Sequence, residues 1–311
     1  MSVPTSLQPD PSAIGGINKA PFALMPNPAR VFTDRARRFR VLAENSRLAS
    51  YLEFLAGLSD IQAELANTLA PIAPIAAEQV ERARENAMPT LDRSVMADLP
   101  DYRQTLERFL ELAQALPKPQ AAADALTQVR EADAETLDWM IANVMADNLP
   151  VESLAHHLYV SAATQVHATR LAAGLDGNRL VPIRIGICPV CGGKPVASMV
   201  IGVQGAEGAR YASCSFCSTL WNEVRVKCIA CGSTKGVGYR SVAADDDGDG
   251  ENATVKAEVC DTCHSWVKIL YQNKNPSLDA IADDVASVGL DMLMKDSEYK
   301  RAGFNPFLMG Y

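Results

Sequence analysis

Apolar residues recur every three to four positions through most of the first 173 residues, the period of helices that bury one face. Tyr102, Leu106, Phe109, Leu110 and Ala113 form one stripe, and Leu137, Met140, Ile141, Val144 and Met145 form another. Pro71, Pro74, Pro89, Pro117 and Pro150 interrupt the stripes, dividing the region into about five or six helices that pack on one another. Ahead of this helical domain at 30–180, residues 1–29 are rich in Pro, Gly and Ser and read as an irregular arm. The period changes after Gly174-Leu-Asp-Gly177. From Val181 to Lys274 the chain alternates β-like runs with turn residues and holds every cysteine. Helical spacing returns at Leu278, Ile281, Val285, Val288 and Met292, with Asn275 the expected N-cap and Pro276 the first helical position. The last apolar stretch, Phe304-Asn-Pro-Phe-Leu308, is expected to dock on the body.

The β-like region repeats itself. Cys188-Pro-Val-Cys191-Gly aligns with Cys228-Ile-Ala-Cys231-Gly, and Cys214-Ser-Phe-Cys217 leads to Trp221 as Cys260-Asp-Thr-Cys263 leads to Trp266. Two copies of one module are the natural inference, at 181–226 and 227–274, with a C-terminal helix and tail at 275–311. Each copy predicts a hairpin: 196–204 with 209–213 around Gly205-Ala-Glu-Gly208, and 237–243 with 253–259 around the acidic insert Asp245–Glu251. The fold class expected is multi-domain α+β. A multihelical N-terminal domain precedes two small rubredoxin-like or zinc-ribbon-like β modules and a C-terminal helix.

A chain of 311 residues can bury a full core without help from metal, and 48% hydrophobic with 21% charged residues is ordinary for a globular protein. The net charge of −8 argues against wholesale attraction to nucleic acid or anionic membrane. The first residues lack the basic and apolar regions of a signal peptide, and Arg37-Arg38-Phe39 is followed by polar helical sequence. With no run approaching about 18 apolar residues, neither membrane insertion nor export is expected, and the protein is placed in the cytoplasm. In that reducing compartment cysteines serve metal or redox chemistry rather than disulfides.

All eight cysteines fall into four C-x-x-C pairs: Cys188/Cys191, Cys214/Cys217, Cys228/Cys231 and Cys260/Cys263. Two sulfurs offered by one tight turn can both reach an ion about 2.3 Å away, so two mononuclear sites of four thiolates are expected. Gly192 and Gly232 follow the first pair of each module, where such a turn often requires positive φ. Pairing first with second and third with fourth preserves the repeat; a cross-brace of first with third and second with fourth also fits the spacing. A thioredoxin-type motif would need a single pair beside a βαβ unit, which is missing. Zinc and a rubredoxin-type iron both suit four sulfurs.

Other candidates are weaker. Asp245, Asp247, Asp249 and Gly250 begin like a calcium loop, but its twelfth position is Lys256 where a bidentate Glu belongs, so a solvated hairpin tip is expected. His156, His157 and His167 have no ligand spacing and read as packing or surface residues. His264 is not expected to displace a sulfur. Arg35, Arg37, Arg38, Arg40 and Arg47, diluted by Asp34 and Glu44, read as a solvated helix face, with partner docking the alternative. No phosphate loop, nucleophile elbow or carboxylate pair stands out, so a non-enzyme is expected. Two further classes remain open: a zinc-ribbon nucleic-acid binder and a rubredoxin-like electron carrier. Residues 184–272 hold nine basic and nine acidic side chains, which disfavours the former, although five of the acids lie in the insert.

Ile187-Cys-Pro-Val-Cys-Gly192, Arg210-Tyr-Ala-Ser-Cys-Ser-Phe-Cys217 with Trp221, and Val224-Arg-Val-Lys-Cys-Ile-Ala-Cys-Gly232 together carry a resemblance. So do Lys256-Ala-Glu-Val-Cys-Asp-Thr-Cys263 leading to Lys268-Ile-Leu-Tyr271, then Ala282-Asp-Asp-Val-Ala-Ser287 and Asn305-Pro-Phe-Leu308. Over about 185–308 the chain resembles the formate dehydrogenase accessory protein family, FdhE; the helical half matches more loosely, in length and layout. The resemblance implies a cytoplasmic protein without turnover of its own. It would assist maturation of molybdenum- or tungsten-dependent formate dehydrogenases by binding their catalytic subunit before export. The resemblance also assigns a metal-ligand role to all eight cysteines and favours iron over zinc. Nucleic acid is not an expected partner; self-association stays open.

Overall fold

The computed structural model describes residues 20–202, 205–242 and 252–308. A short strand β1 (Ala23–Leu24) opens it, so the part of the expected arm that is described is ordered by pairing: Ala23 lies opposite Trp221 and Leu24 opposite Leu220. α1 (Pro28–Ala43) starts where Asn27 accepts the Ala29 N–H and Pro28 fills the first helical position, which needs no donor. Then come α2 (Ala49–Thr68), α3 (Ala77–Glu85), α4 (Arg93–Ala97), α5 (Pro100–Gln114), α6 (Gln120–Glu131), α7 (Ala134–Met145) and α8 (Leu154–Ala173). That makes eight α-helices among the described residues before 174, more than the five or six expected, because α3 and α4 are short pieces between proline breaks with too few turns to carry a stripe.

Every side chain of α8 from His157 to Thr169 is buried. A helix covered on all faces belongs at the centre, and α8 packs against α2, α5, α6 and α7. The stripe of α5 is buried as expected, as are Met140, Ile141 and Val144 of α7.

The cysteine region supplies β2 (Pro195–Val200), β3 (Arg210–Cys214), β4 (Leu220–Glu223), β5 (Val237–Arg240), β6 (Val255–Cys260) and β7 (Ser265–Tyr271). Each copy of the repeat is a hairpin plus a third antiparallel strand, and that third strand carries the module's tryptophan, Trp221 in β4 and Trp266 in β7. The two modules do not stand apart. Parallel pairing of β2 with β7, Ser198 opposite Ile269 and Val200 opposite Tyr271, fuses them into one sheet ordered β1-β4-β3-β2-β7-β6-β5. At the join, the fully buried Arg210 guanidinium donates to Glu258 (2.8 Å), to Ser198 Oγ (3.0 Å) and to the Lys227 carbonyl (2.8 Å) in the segment between modules.

The C-terminal segment forms α9 (Ala280–Ala286), α10 (Val288–Lys295) and β8 (Lys300–Arg301), the last pairing with β7. The expected N-cap at Asn275 is corrected. Asn275 caps only the turn at Ser277, and Asp279 accepts from the N–H groups of Ile281 and Ala282 to start α9. The helix breaks at Ser287 and α10 starts on a new register, so Leu278, Ile281 and Val285 are buried while Met292 faces solvent.

The arginines of α1 are also corrected. Arg35 is buried against Asp279 (3.3 Å) and Gln165 (3.2 Å), and Arg38 makes a bidentate pair with Asp283 (2.6 and 2.9 Å). These side chains clamp α1 to α9, leaving Arg37 and Arg40 in exposed pairs with Asp34 and Asp60; Arg47 lies beyond the helix end. A second buried network holds α9 and α10 to the sheet: Lys268 and Arg301 face Asp284 and Asp291, two charges of each sign. Among the described residues no helix is long and apolar enough to cross a membrane.

Candidate metal centres

The first pair of each module sits on the same backbone turn. Cys188 N–H donates to the Gly193 carbonyl (2.9 Å) and Gly192 N–H to the Cys188 carbonyl (2.9 Å). Cys228 N–H donates to Ser233 and Gly232 N–H to Cys228, both at 2.8 Å. Closing that turn takes Gly192 to φ 73° and Gly232 to φ 79°, the left-handed region where a Cβ is penalised. The second pairs close on Ser218 (φ 58°) and His264 (φ 49°), which adopt the same region without being glycine.

These turns bring the cysteines together as adjacent pairs, Cys188, Cys191, Cys214 and Cys217 in one group and Cys228, Cys231, Cys260 and Cys263 in the other. All sulfurs within a group lie within 4.8 Å of one another. The contacts are 3.7 Å for Cys188–Cys217, 3.4 Å for Cys191–Cys214, and 3.8 Å for both Cys228–Cys263 and Cys231–Cys260. A regular tetrahedron with metal–sulfur bonds of about 2.3 Å has edges of about 3.8 Å, so four thiolates in this arrangement fit one ion. All eight are free thiols, their separations far beyond a disulfide's roughly 2.05 Å. Among the described residues these are the two clusters of His, Cys, Asp or Glu that could each hold an ion.

Backbone N–H groups point at the sulfurs: Phe216 and Cys217 donate to Cys214 Sγ, and Ala230 to Cys228 Sγ, each at 3.4 Å. Each module adds a hydroxyl two positions after its last cysteine, Thr219 at 3.2 Å from Cys217 Sγ and Ser265 at 2.9 Å from Cys263 Sγ. Sequence reasoning missed both, although their equal offset in the two copies was a usable signal. Burial pushes the Cys188 and Cys214 thiols up. Against the same burial, Cys191 is drawn well below the usual thiol range by its neighbouring sulfurs and by Arg93. In the second group burial opposes ionisation of Cys260, but the N–H groups of Cys263 and Thr262 bring it down to about 7. Depressed thiols are the ones ready to bind metal at neutral pH.

Arg93 was also missed. It comes from α4, far from the cysteines in sequence, and its Nη2 lies 3.5 Å from Cys191 Sγ. His264 takes no part in the sulfur cluster; its Nδ1 pairs with Glu298 at 3.1 Å. His157 and His167 are packing residues in the helical part, the former bonded to the Ser153 carbonyl and Asn143, the latter to Thr105. His156 bonds Gln128. The acidic insert Asp245–Glu251, expected as a solvated hairpin tip, lies outside the described residues.

A helical body joined to a single sheet that presents two four-cysteine clusters, each of which could hold a metal ion, defines the class as α+β. Three family profiles cover nearly all of it: FdhE, N-terminal at residues 20–184, FdhE, central domain at 187–225, and FdhE, C-terminal domain at 226–308. The chain belongs to the FdhE family. It is 70% identical over 311 residues to an FdhE homologue from Rhizobium meliloti, covering 100% of both chains. An FdhE homologue from Haemophilus ducreyi is 36% identical over 301 residues, with 93% of this chain and 92% of the relative covered. The crystal structure of the FdhE protein from Pseudomonas aeruginosa superposes with a TM-score of 0.81 at 31% identity, covering 93% of this chain and 99% of that one.

Proposed function

We propose that this protein is a cytoplasmic accessory factor for formate dehydrogenase, which binds the enzyme's catalytic subunit during maturation and catalyses no turnover itself. Its eight cysteines hold two mononuclear ions, with iron favoured over zinc on the family resemblance. The observation that carries this reading is the pair of four-sulfur clusters, each with tetrahedral spacing, in a chain that belongs to the FdhE family along its whole described length. Bound ions would cross-link two turns in each module and so supply folding free energy to the sheet. With four sulfurs around each ion no coordination position is left for substrate, which suits a structural or sensing centre better than a hydrolytic one.

An accessory role requires that deletion abolish formate oxidation while the catalytic polypeptide is still made. The test is a deletion strain assayed for formate-to-dye electron transfer, with capture of the catalytic subunit on the tagged protein. Loss of activity, its restoration by the gene, and recovery of the subunit support the reading. Full activity in the deletion strain with no recovered subunit would reject it.

A further inference from the structure

The repeat predicts two equivalent centres, but their surroundings differ. In the first group all four cysteines are buried, while in the second Cys231 lies at the surface and Cys263 is half-buried. The first group also has a cation against it. Arg93 spends each edge of its guanidinium: Nε donates to the Cys191 carbonyl (2.9 Å), Nη1 to Asp147 Oδ1 and the Met145 carbonyl (2.9 Å each), and Nη2 to Cys191 Sγ. Its face stacks on the Phe216 ring at 3.8 Å, between the cysteines of the second pair. Position 193 is glycine for this reason, since a Cβ there would sit 1.9 Å from Arg93 Nη2. The matching position in the second copy is Ser233, and among the described residues no arginine donates a hydrogen bond to a sulfur of that group. There the sulfurs receive backbone N–H groups and the Ser265 hydroxyl, and the nearby Lys227 is turned to Glu223 (3.6 Å).

We propose that the two centres are inequivalent. Arg93 is a positioning residue that locks the ion of the first, and the second, lacking such a cation, is the one that exchanges metal with solvent. This rests on the reading of both cysteine groups as metal centres. Four thiolates around a divalent ion carry a net charge of −2, and burial makes that charge costly unless a counter-charge lies beside it. Arg93 supplies the counter-charge and ties the first centre to α4 and to the end of α7. Release of the ion exchanges its sulfur bonds for those of a chelator, and the freed thiolates take up protons from water. Arg93 and Cys191 both line a cleft of about 720 Å³ between α4 and α7.

The test is a chelator challenge of the full chain with EDTA, read by pulse alkylation and mass spectrometry of each cysteine. Cys228, Cys231, Cys260 and Cys263 are expected to become reactive at least about tenfold faster than the other four, the usual scale for a metal's outer hydrogen-bond partners. Arg93→Gln should accelerate the first group about 10- to 100-fold and leave the second unchanged, with Arg93→Lys in between. Gly193→Ala, which keeps the charge but displaces the guanidinium, should reproduce Arg93→Gln. Equal rates for the two groups in the native protein, or variants that accelerate both groups alike, would overturn the proposal. Fewer than two ions per chain at the start would instead reject the metal-centre reading on which it stands.

Discussion

Replacing Arg210 with methionine removes the cation at the join between the two modules and leaves Glu258 in a site that is 3% exposed. Three hydrogen bonds of 3.0 Å or less go with it, to Glu258, Ser198 and the Lys227 carbonyl, besides a longer one to the Arg225 carbonyl (3.4 Å). At about 1–1.5 kcal/mol each that is about 3–4 kcal/mol, in line with the about 3–5 kcal/mol lost when one partner of a buried pair is removed. The two ways of breaking the pair differ in pH dependence. Burial already pushes the Glu258 carboxyl above its ordinary value, with Arg210 opposing. Without Arg210 it rises further and Glu258 can escape by protonating. A carboxyl raised in the folded state contributes stability below its unfolded value, near 4.5, that is lost as pH rises through the folded one. Arg210→Met should therefore be markedly less destabilising at acid than at alkaline pH. Glu258→Gln strands an arginine that cannot shed its charge, so its cost should stay level across the same range. Arg210→Met with Glu258→Leu should recover most of the loss. Urea unfolding of metal-loaded protein, followed by the buried Trp221 and Trp266, measures all three. Costs below about 1 kcal/mol, as for a surface pair, or parallel pH profiles for the two single variants, would refute the reasoning.

His167 titrates in the opposite sense. Burial, helped by Arg170, lowers its imidazole to about 4 from 6.5, so the unfolded chain binds the extra proton between those values. Stability present above pH 6.5 should fall by roughly 3 kcal/mol as pH drops to about 4, and His167→Gln should remove that component from the stability–pH curve. Gly186 has φ 67°, and a Cβ there would meet the Ile229 carbonyl oxygen at 2.3 Å. Gly186→Ala is thus expected to cost more than the roughly 1–2 kcal/mol of left-handed strain alone, read as a lower urea midpoint. Cys188→Ser with Cys191→Ser and Cys214→Ser with Cys217→Ser should each lose the same single ion and spare the second centre. Elemental analysis of the two double variants checks this, and loss of different ions would contradict the adjacent grouping.

The grouping of the eight cysteines was legible because it is written locally. Four C-x-x-C pairs, a glycine after the first pair of each copy and a tryptophan after the second all lie within short stretches of chain. The stripes of α5 and α7 were legible for the same reason. The features that stayed hidden depend on distant partners. Nothing near Ser198 or Ile269 announces the parallel pairing that fuses the modules, because β2 alone reads as half of a hairpin and β7 only as part of the β-like region. Arg35 and Arg38 looked like a solvated face because their acids, Asp279 and Asp283, stand more than two hundred positions away. Arg93 could not be linked to Cys191 by spacing; the only trace was Gly193, where the two copies differ. The misplaced N-cap at Asn275 is a competition between two good caps, which Asp279 wins by accepting two N–H groups at once.

The central claim is that each group of four cysteines holds one ion. Elemental analysis joined to X-ray absorption at the metal edge, on protein purified gently from its own host, tests it most directly. The account predicts two ions per chain, each with four sulfur neighbours at about 2.3 Å and no nitrogen or oxygen ligand. One ion or none, with free thiols in place of the missing sites, would contradict it.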